Sequence, residues 1–219
     1  MILLLYPPKI GYNKFMSNTG WLGSRFGKGH YPNWFEASGQ YNFEEFLSEY
    51  KDKPNLNYLQ LGVFTGDTSY WLMNHVLTHE TSHLTDVDTW LGSSAESDVH
   101  DNYDFEDVYQ LYLSRMQPFS PRVHSERSTT FDFLNAEKNN TYDFIYIDAD
   151  HVASNVLSDA ELSWPLLKTG GILAFDDYSW GDEKPAHLRP KTAILSFVEK
   201  YKNEIETMAM NHQYWIKKI

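Results

Sequence analysis

No cysteine occurs in the 219 residues. That excludes disulfide staples and a thiolate zinc centre, and it is compatible with a cytoplasmic setting. Basic side chains are scarce, with 18 Lys and Arg against 30 Asp and Glu, for a formal net charge of −12. Such an excess of acid disfavours non-specific attachment to nucleic acid or to an anionic membrane. Long apolar runs are missing too. Met1–Leu5 is too short for a signal core or a membrane span and has no basic flank. Neither nucleic acid nor membrane is therefore expected as a partner. Aromatic side chains are plentiful, at 16% of the sequence. The length suits one sizeable α/β domain.

The chain is organised around the stretch from Tyr142 to Tyr178. Phe144-Ile145-Tyr146-Ile147 stops at Asp148, and Ile172-Leu173-Ala174-Phe175 stops at Asp176-Asp177. Short apolar runs without alternation read as parallel strands buried on both faces. Between them Val152, Val156, Leu157, Ala160, Trp164 and Leu167 recur at helical spacing, with Pro165 kinking the last turn and Gly170-Gly171 ending it. A βαβ unit of this kind brings both strand ends to one rim, where open α/β sheets bind ligands. Asp148, Asp176 and Asp177 would repel one another there unless a cation joined them. A hard divalent ion such as Mg²⁺ suits all-oxygen donors. Simple capping of the following turns is the alternative.

Ile2–Tyr6 reads as a short strand halted by Pro7-Pro8. Gly11–Gln40 interleaves glycine with Trp21, Phe26, Tyr31, Trp34 and Phe35, the texture of a lid or of an arm packed on the core or on a second subunit. A short helix follows at Phe43–Tyr50, so residues 1–55 are set apart from a domain at 56–219. Tyr58–Leu61 is a strand that runs into Gly62 and Gly66, with Thr68-Ser69 opening a helix to Thr78. Glycines at such a turn admit a ligand to the backbone, and the helix start supplies free N–H groups. The spacing is Gly-x-x-x-Gly rather than the dinucleotide pattern, and a tight packing turn is the other reading. His79-Glu80-Thr81-Ser82-His83 matches the zinc-peptidase motif, yet Thr81 and Ser82 are poor helix residues and His83 leads into the apolar run Leu84–Val87. That run ends at Asp88, about twenty residues after Gly66, the spacing of an acid that meets ribose hydroxyls. Trp90 stands ready to pack beside a base or to fill the core. Residues 93–109 read as an exposed acidic loop, followed by a helix (Phe105–Met116), a strand from Val123 to Ser128 with its exit, and a helix opening at Thr129. Asn139-Asn140-Thr141 reads as a polar turn.

The order of these pieces is Gly-x-x-x-Gly, Asp88, Glu126-Arg127-Ser128, Asp148-Ala149-Asp150-His151, then Gly170-Gly171 and Asp176-Asp177-Tyr178. It resembles the class I S-adenosylmethionine-dependent methyltransferases, above all the small O-methyltransferases with Asp-Gly-x-His and Phe-Asp-Asp-Tyr patterns, and it is similar to the catechol and macrolide-sugar O-methyltransferases. The resemblance spans about residues 56–219. It implies a doubly wound, seven-stranded Rossmann-like α/β sheet, mostly parallel with an antiparallel last strand. Ile205–Met210 and Gln213–Lys217, joined at Asn211-His212, fit its closing hairpin.

The resemblance also implies roles. Gln60, Gly62, Gly66, Thr68 and Ser69 would surround the methionine part of S-adenosylmethionine. Asp88 would bind the ribose, and Arg127 and Ser128 would border the adenine. Asp148, Asp176 and Asp177 would hold Mg²⁺ or a similar ion. His151 would take the proton of a small hydroxylated acceptor, beside Asp148. The loop Ser179–Pro190, with Trp180, His187 and Arg189, would line the acceptor pocket, and the aromatic arm suggests a homodimer contact. Three positions depart from the pattern: Gln60 for the usual acid, Ala149 for the usual glycine, and Glu126 where glycine is common. A metal-free transferase using His151, a catalytically silent cofactor-binding protein, a nicotinamide oxidoreductase and a zinc peptidase are the competing readings.

Overall fold

The computed structural model describes residues 31–92, 103–138 and 141–219. The expected Ile2–Tyr6 strand, the first part of the glycine-aromatic arm, the loop centre at 93–102 and the Asn139-Asn140 pair lie outside the described residues.

Seven strands form one sheet: β1 (Asn57–Leu61), β2 (His83–Asp88), β3 (Val123–Arg127), β4 (Tyr142–Ile147), β5 (Leu167–Phe175), β6 (Ile205–Met210) and β7 (Tyr214–Lys218). Six helices accompany them: α1 (Gln40–Leu47), α2 (Asp67–His75), α3 (Phe105–Met116), α4 (Thr130–Ala136), α5 (Ala153–Ser163) and α6 (Pro190–Lys200). The strand order is β3-β2-β1-β4-β5-β7-β6. β1 to β5 pair in parallel, and β7 inserts antiparallel between β5 and β6. This is the doubly wound sheet expected from the sequence, with the carboxyl ends of β1, β2, β4 and β5 along one edge.

The central strands lack alternation because both of their faces are covered. Leu59, Leu61, Ile145, Ile147, Leu173 and Phe175 share one core with Val156 and Ala160 of α5 and Ile194 and Phe197 of α6. Tyr58, Phe144, Tyr146, Ile172 and Trp215 share the opposite core with residues of α1 and α2. Phe43 of α1 meets Tyr146 and Trp215 edge-on at 5.0 Å each. The segment set apart as an arm therefore supplies core residues from Tyr31 onward. A third cluster joins Tyr31, Val63 and Trp90 to Leu111 and Tyr112 of α3, behind the glycine turn.

Two expectations change, and one helix is added. The helix after Asp148 ends at Ser163 rather than at Gly170-Gly171. Trp164-Pro165 stops it, since a proline ring cannot continue the ladder. The two glycines lie in β5, where pairing with β4 slips between Tyr142 and Phe144. A Cβ on Gly171 would stand 2.9 Å from the Asp143 carbonyl, so the slip needs a bare backbone there. The added helix, α6, carries no clear signal ahead of it except Pro190, which suits a helix's first turn. Secondly, α2 ends at His75, and His79–Thr81 is a turn in which His79 Nδ1 meets Thr81 Oγ1 at 3.0 Å. The paired histidines of a zinc-peptidase helix are not formed.

The glycine turn is braced from behind. The buried Arg115 of α3 donates to Asp67 Oδ1 at 2.6 Å and to the Thr65 carbonyl at 3.0 Å, and Thr65 Oγ1 donates to Asp67 Oδ2 at 2.7 Å. Removing one member of a buried pair leaves an uncompensated charge, at a cost of about 3 kcal/mol. Arg115→Met is expected to lower the melting temperature by roughly 10 °C. Adding Asp67→Asn should recover part of that loss in the same melt.

Candidate active site

β1 turns sharply at Gly62 (φ +82°), and Gly66 (φ +77°) sits as the left-handed residue before α2. A Cβ on Gly62 would lie 2.0 Å from the Asp148 carbonyl, so β1 and β4 meet there backbone to backbone. Gln60 is buried, donates from Nε2 to the Gly62 carbonyl at 2.9 Å, and accepts from Ser69 Oγ at 3.1 Å. The residue that departs from the family pattern thus shapes the turn internally. Asp88 Oδ2 accepts from the Val63 and Phe64 amides at 2.7 and 3.0 Å, and Oδ1 accepts from the Trp90 amide at 2.7 Å. A carboxylate has about four lone-pair positions, so Asp88 retains capacity for a ribose hydroxyl. Trp90 is a core residue, packed against Tyr109 and Tyr112 with ring centroids at 4.6 and 4.8 Å.

A cavity of about 1530 Å³ begins at this turn. Its walls pass from Gly62 and Thr68 past Asp88 to Ser128, and on to Asp148, Asp176 and Asp177. It exceeds the space of one drug-sized ligand, about 300–1,000 Å³, and so accommodates a nucleoside-type cofactor together with an acceptor. Backbone donors at the start of α2, a ribose acid and a hydroxyl-lined far end fit S-adenosylmethionine. Gly66, Ser69 and Arg127 are the exceptions among the expected cofactor residues and do not line the cavity. Ser69 turns to Gln60, and Glu106 at 3.0 Å and the Tyr109 ring at 4.7 Å draw the Arg127 guanidinium onto α3. Ser128 keeps its place, with Thr129, Thr130 and Phe131 beside it.

Behind the turn Asp86 is fully buried and accepts from the Tyr112 hydroxyl at 2.9 Å. Burial pushes its carboxyl up to about 7, against the opposing hydrogen bonds of Ser69 and Tyr112. An unfolded aspartate titrates near ~3.9. Between those values the folded chain keeps a proton that the unfolded chain has released, so stability falls as pH rises through this window. The Asp86→Asn variant is expected to gain on the wild type by roughly 4 kcal/mol between pH 4 and pH 8 in denaturant titrations.

The acid rim lies at the ends of β4 and β5. Burial and the neighbouring Asp177 push the Asp176 carboxyl up to about 6. Its Oδ1 is buried with no hydrogen-bond partner among the described residues. Burial, together with repulsion from Asp176 and Asp177, holds the Asp148 carboxyl well above the usual range. Its side chain still opens to the cavity, so repulsion is the firmer of the two causes. Burial also pushes Asp177 upward, but hydrogen bonds from His151 and His212 overcome it and hold that carboxyl well below the usual range. His151 Nε2 lies 2.8 Å from Asp177 Oδ2, and its ring stacks on Trp180 with centroids 4.1 Å apart. Of the loop residues expected at the acceptor end, Trp180 lines the cavity; Arg189 turns to the Asp182 carbonyl and His187 is exposed.

The metal-type donor cluster differs from the one expected. Asp176, Asp177 and His212 offer ligand atoms within 4.8 Å of one another, and Asp148 stands outside that set. His212 Nε2 is 3.5 Å from Asp177 Oδ1 and 4.0 Å from Asp176 Oδ1. Sequence reasoning treated His212 only as a turn residue. The available signal was topological: an antiparallel β7 beside β5 pairs Phe175 with Tyr214 and so carries the preceding turn to Asp176-Asp177. Two carboxylates and an imidazole suit a divalent ion, and the Asp176 oxygen that makes no hydrogen bond among the described residues is a donor position ready for one.

The strand order, the glycine turn and the acid rim together define the class I S-adenosylmethionine-dependent methyltransferase fold. Residues 59–178 match the model of the methyltransferase domain family, and the chain belongs to that family. No curated protein matches the sequence. Among solved structures, the chain is similar to an O-methyltransferase from Bacillus cereus in complex with SAH, at 17% identity over 86% of this chain and 92% of that one, with a TM-score of 0.54. An SAH-bound methyltransferase of Podospora anserina gives 13% identity over 86% and 82%, with a TM-score of 0.58. The MycE methyltransferase of the mycinamycin biosynthetic pathway, in complex with Mg, SAH and mycinamycin VI, gives 13% identity over 89% of this chain and 51% of that one, with a TM-score of 0.56. Among the described residues no helix is long and apolar enough to cross a membrane.

Proposed function

We propose that this methyltransferase acts on the hydroxyl of a small acceptor with the help of a divalent ion such as Mg²⁺. One observation carries the reading: Asp176, Asp177 and His212 converge, with a buried Asp176 oxygen that makes no hydrogen bond among the described residues, in the cavity that starts at the glycine turn. S-adenosylmethionine supplies an electrophilic methyl group on a sulfonium, and the ion supplies a Lewis acid that acidifies a bound hydroxyl. The residues supply position, which dominates an in-line displacement. The glycine turn, Thr68 and Asp88 hold the cofactor end of the cavity. Asp176, Asp177 and His212 would hold the ion, with the Asp148 carboxyl close enough to Asp176 and Asp177 to be repelled by them. With Nε2–H donated to Asp177, His151 accepts the hydroxyl proton at Nδ1, and Asp177 stabilises the imidazolium. S-adenosylmethionine, when bound, would supply the methyl group to the acceptor oxygen and leave as S-adenosylhomocysteine. Trp180, Trp34 and Phe35 give the acceptor end flat apolar walls.

The existing His151–Asp177 pair at 2.8 Å supports a second reading, a metal-free transfer with the same base. Calorimetric titration with S-adenosylhomocysteine, with and without Mg²⁺, is the first test. Micromolar binding, about −8 kcal/mol, is expected. Absence of binding would sink the cofactor assignment. An acceptor screen repeated in chelator then separates the two readings, because undiminished turnover in chelator selects the metal-free one.

A further inference from the structure

His212 sits in a hairpin turn, a place that is ordinarily exposed and mobile. Here both of its neighbours are tied into the core. Asn42 of α1 donates from Nδ2 to Asn211 Oδ1 at 3.0 Å and to Gln213 Oε1 at 2.9 Å. Asn211 Nδ2 returns a bond to Asn42 Oδ1 at 2.9 Å. The Gln213 amide N–H donates to Asn211 Oδ1 at 2.9 Å, and Gln213 Nε2 donates to the Tyr146 hydroxyl at 3.1 Å. Trp215 Nε1 donates to Gln213 Oε1 at 2.8 Å. Asn42 is 2% exposed and Gln213 is 0% exposed. Burying amides among aromatic rings costs free energy that an apolar pair would not, and the return is a single fixed geometry. The geometry fixed here is that of the turn. His212 Nδ1 meets Ser179 Oγ at 3.0 Å, and Nε2 faces the two carboxylates.

We infer that Asn42 and Gln213 are positioning residues that hold the His212 imidazole toward Asp176 and Asp177. The consequence for metal binding rests on the proposed reading of His212 as an ion ligand; the consequence for the ring does not. The structure also offers a lever that leaves the network's own residues intact. Gly39 precedes α1 with an ordinary negative φ, and a Cβ there would stand 2.7 Å from Gln213 Nε2. Gly39→Ala therefore displaces the Gln213 amide without straining its own backbone.

The test uses the full chain, with the Asn42→Ala and Gly39→Ala variants. Nitrogen-15 spectra of the His212 ring are recorded without metal, Mn²⁺ affinity is measured by electron paramagnetic resonance, and S-adenosylhomocysteine affinity serves as the control for folding. The ring signals are expected to shift in both variants, and Mn²⁺ binding to weaken by about 10- to 100-fold, as outer-shell losses do. Cofactor-product affinity should stay within about twofold, the scatter of an undisturbed site. Asn42→Ala/His212→Ala should bind Mn²⁺ no more weakly than His212→Ala alone. Unshifted ring signals, or losses that add fully in the double variant, would overturn the inference. Should Asn42→Ala fail to fold, Gly39→Ala carries the same measurements. Should the wild type bind no Mn²⁺, the ion reading fails, and the ring signals alone decide the positioning role.

Discussion

Asp177→Asn is expected to reduce Mg²⁺-dependent turnover by about a thousandfold, equivalent to about 4 kcal/mol of transition-state stabilisation. Two features make this replacement informative. Asp177 has a φ of +56°, and asparagine tolerates the left-handed region nearly as well as any residue with a side chain. The amide also keeps the size and an acceptor oxygen for His151 at the position now 2.8 Å away. The fold and the ring contact therefore survive while the charge is lost. That charge is shared by the metal-type cluster and by both histidines, so its removal weakens ion capture and stops stabilising a protonated His151. S-adenosylhomocysteine affinity is the control and should hold, since the side-chain partners of Asp177 are His151 and His212 rather than the glycine turn or Asp88. Retention of more than about a tenth of wild-type turnover would leave under 1.4 kcal/mol for both roles and remove Asp177 from the mechanism.

What could be read from the sequence follows from how local each signal is. β1, β4 and β5 were legible because strands buried on both faces have no choice but continuous apolar side chains, and their acids had to fall at one edge. The glycine turn was legible because left-handed backbone demands glycine. His212 was not, since its role depends on α1, β5 and β7 meeting, and nothing in the turn itself announces the Asn42 contacts. Arg127 was misplaced for a related reason. Its position at the end of β3 is right for a cavity rim, but Glu106 and Tyr109 arrive from α3 and claim the guanidinium. The Gly170-Gly171 pair shows a local rule losing to an earlier one: the helix had already stopped at Trp164-Pro165, so glycines that resemble a helix end serve a strand bulge instead. Gln60 is the instructive departure. The side chain that stands for the usual acid is buried and uses its amide on the Gly62 carbonyl and Ser69. The turn keeps its shape by neutral hydrogen bonds next to the buried Asp86.

Gly62→Ala should be the most damaging single methyl group among the described glycines. The added carbon would lie 2.0 Å from the Asp148 carbonyl oxygen and 2.6 Å from the Ala149 Cα. Both are backbone atoms of the segment leaving β4, so no side chain can swing aside. Either β1 separates from β4 or the turn itself refolds, and each outcome dismantles the cofactor end and displaces Asp148 together. The left-handed conformation alone costs about 1–2 kcal/mol; with the overlap, a loss of about 4 kcal/mol or more is expected, a melting temperature at least roughly 10 °C lower. Gly170→Ala separates the two contributions. Gly170 has the same φ of +82° but nothing within 4 Å of its missing Cβ. It should cost only the conformational part, about 1–2 kcal/mol, and leave S-adenosylhomocysteine binding intact. Equal melting temperatures for the two variants would mean that the β1–β4 approach yields more easily than the backbone contact implies. A Gly62→Ala protein that still bound the cofactor product at wild-type strength would mean that the turn does not hold it.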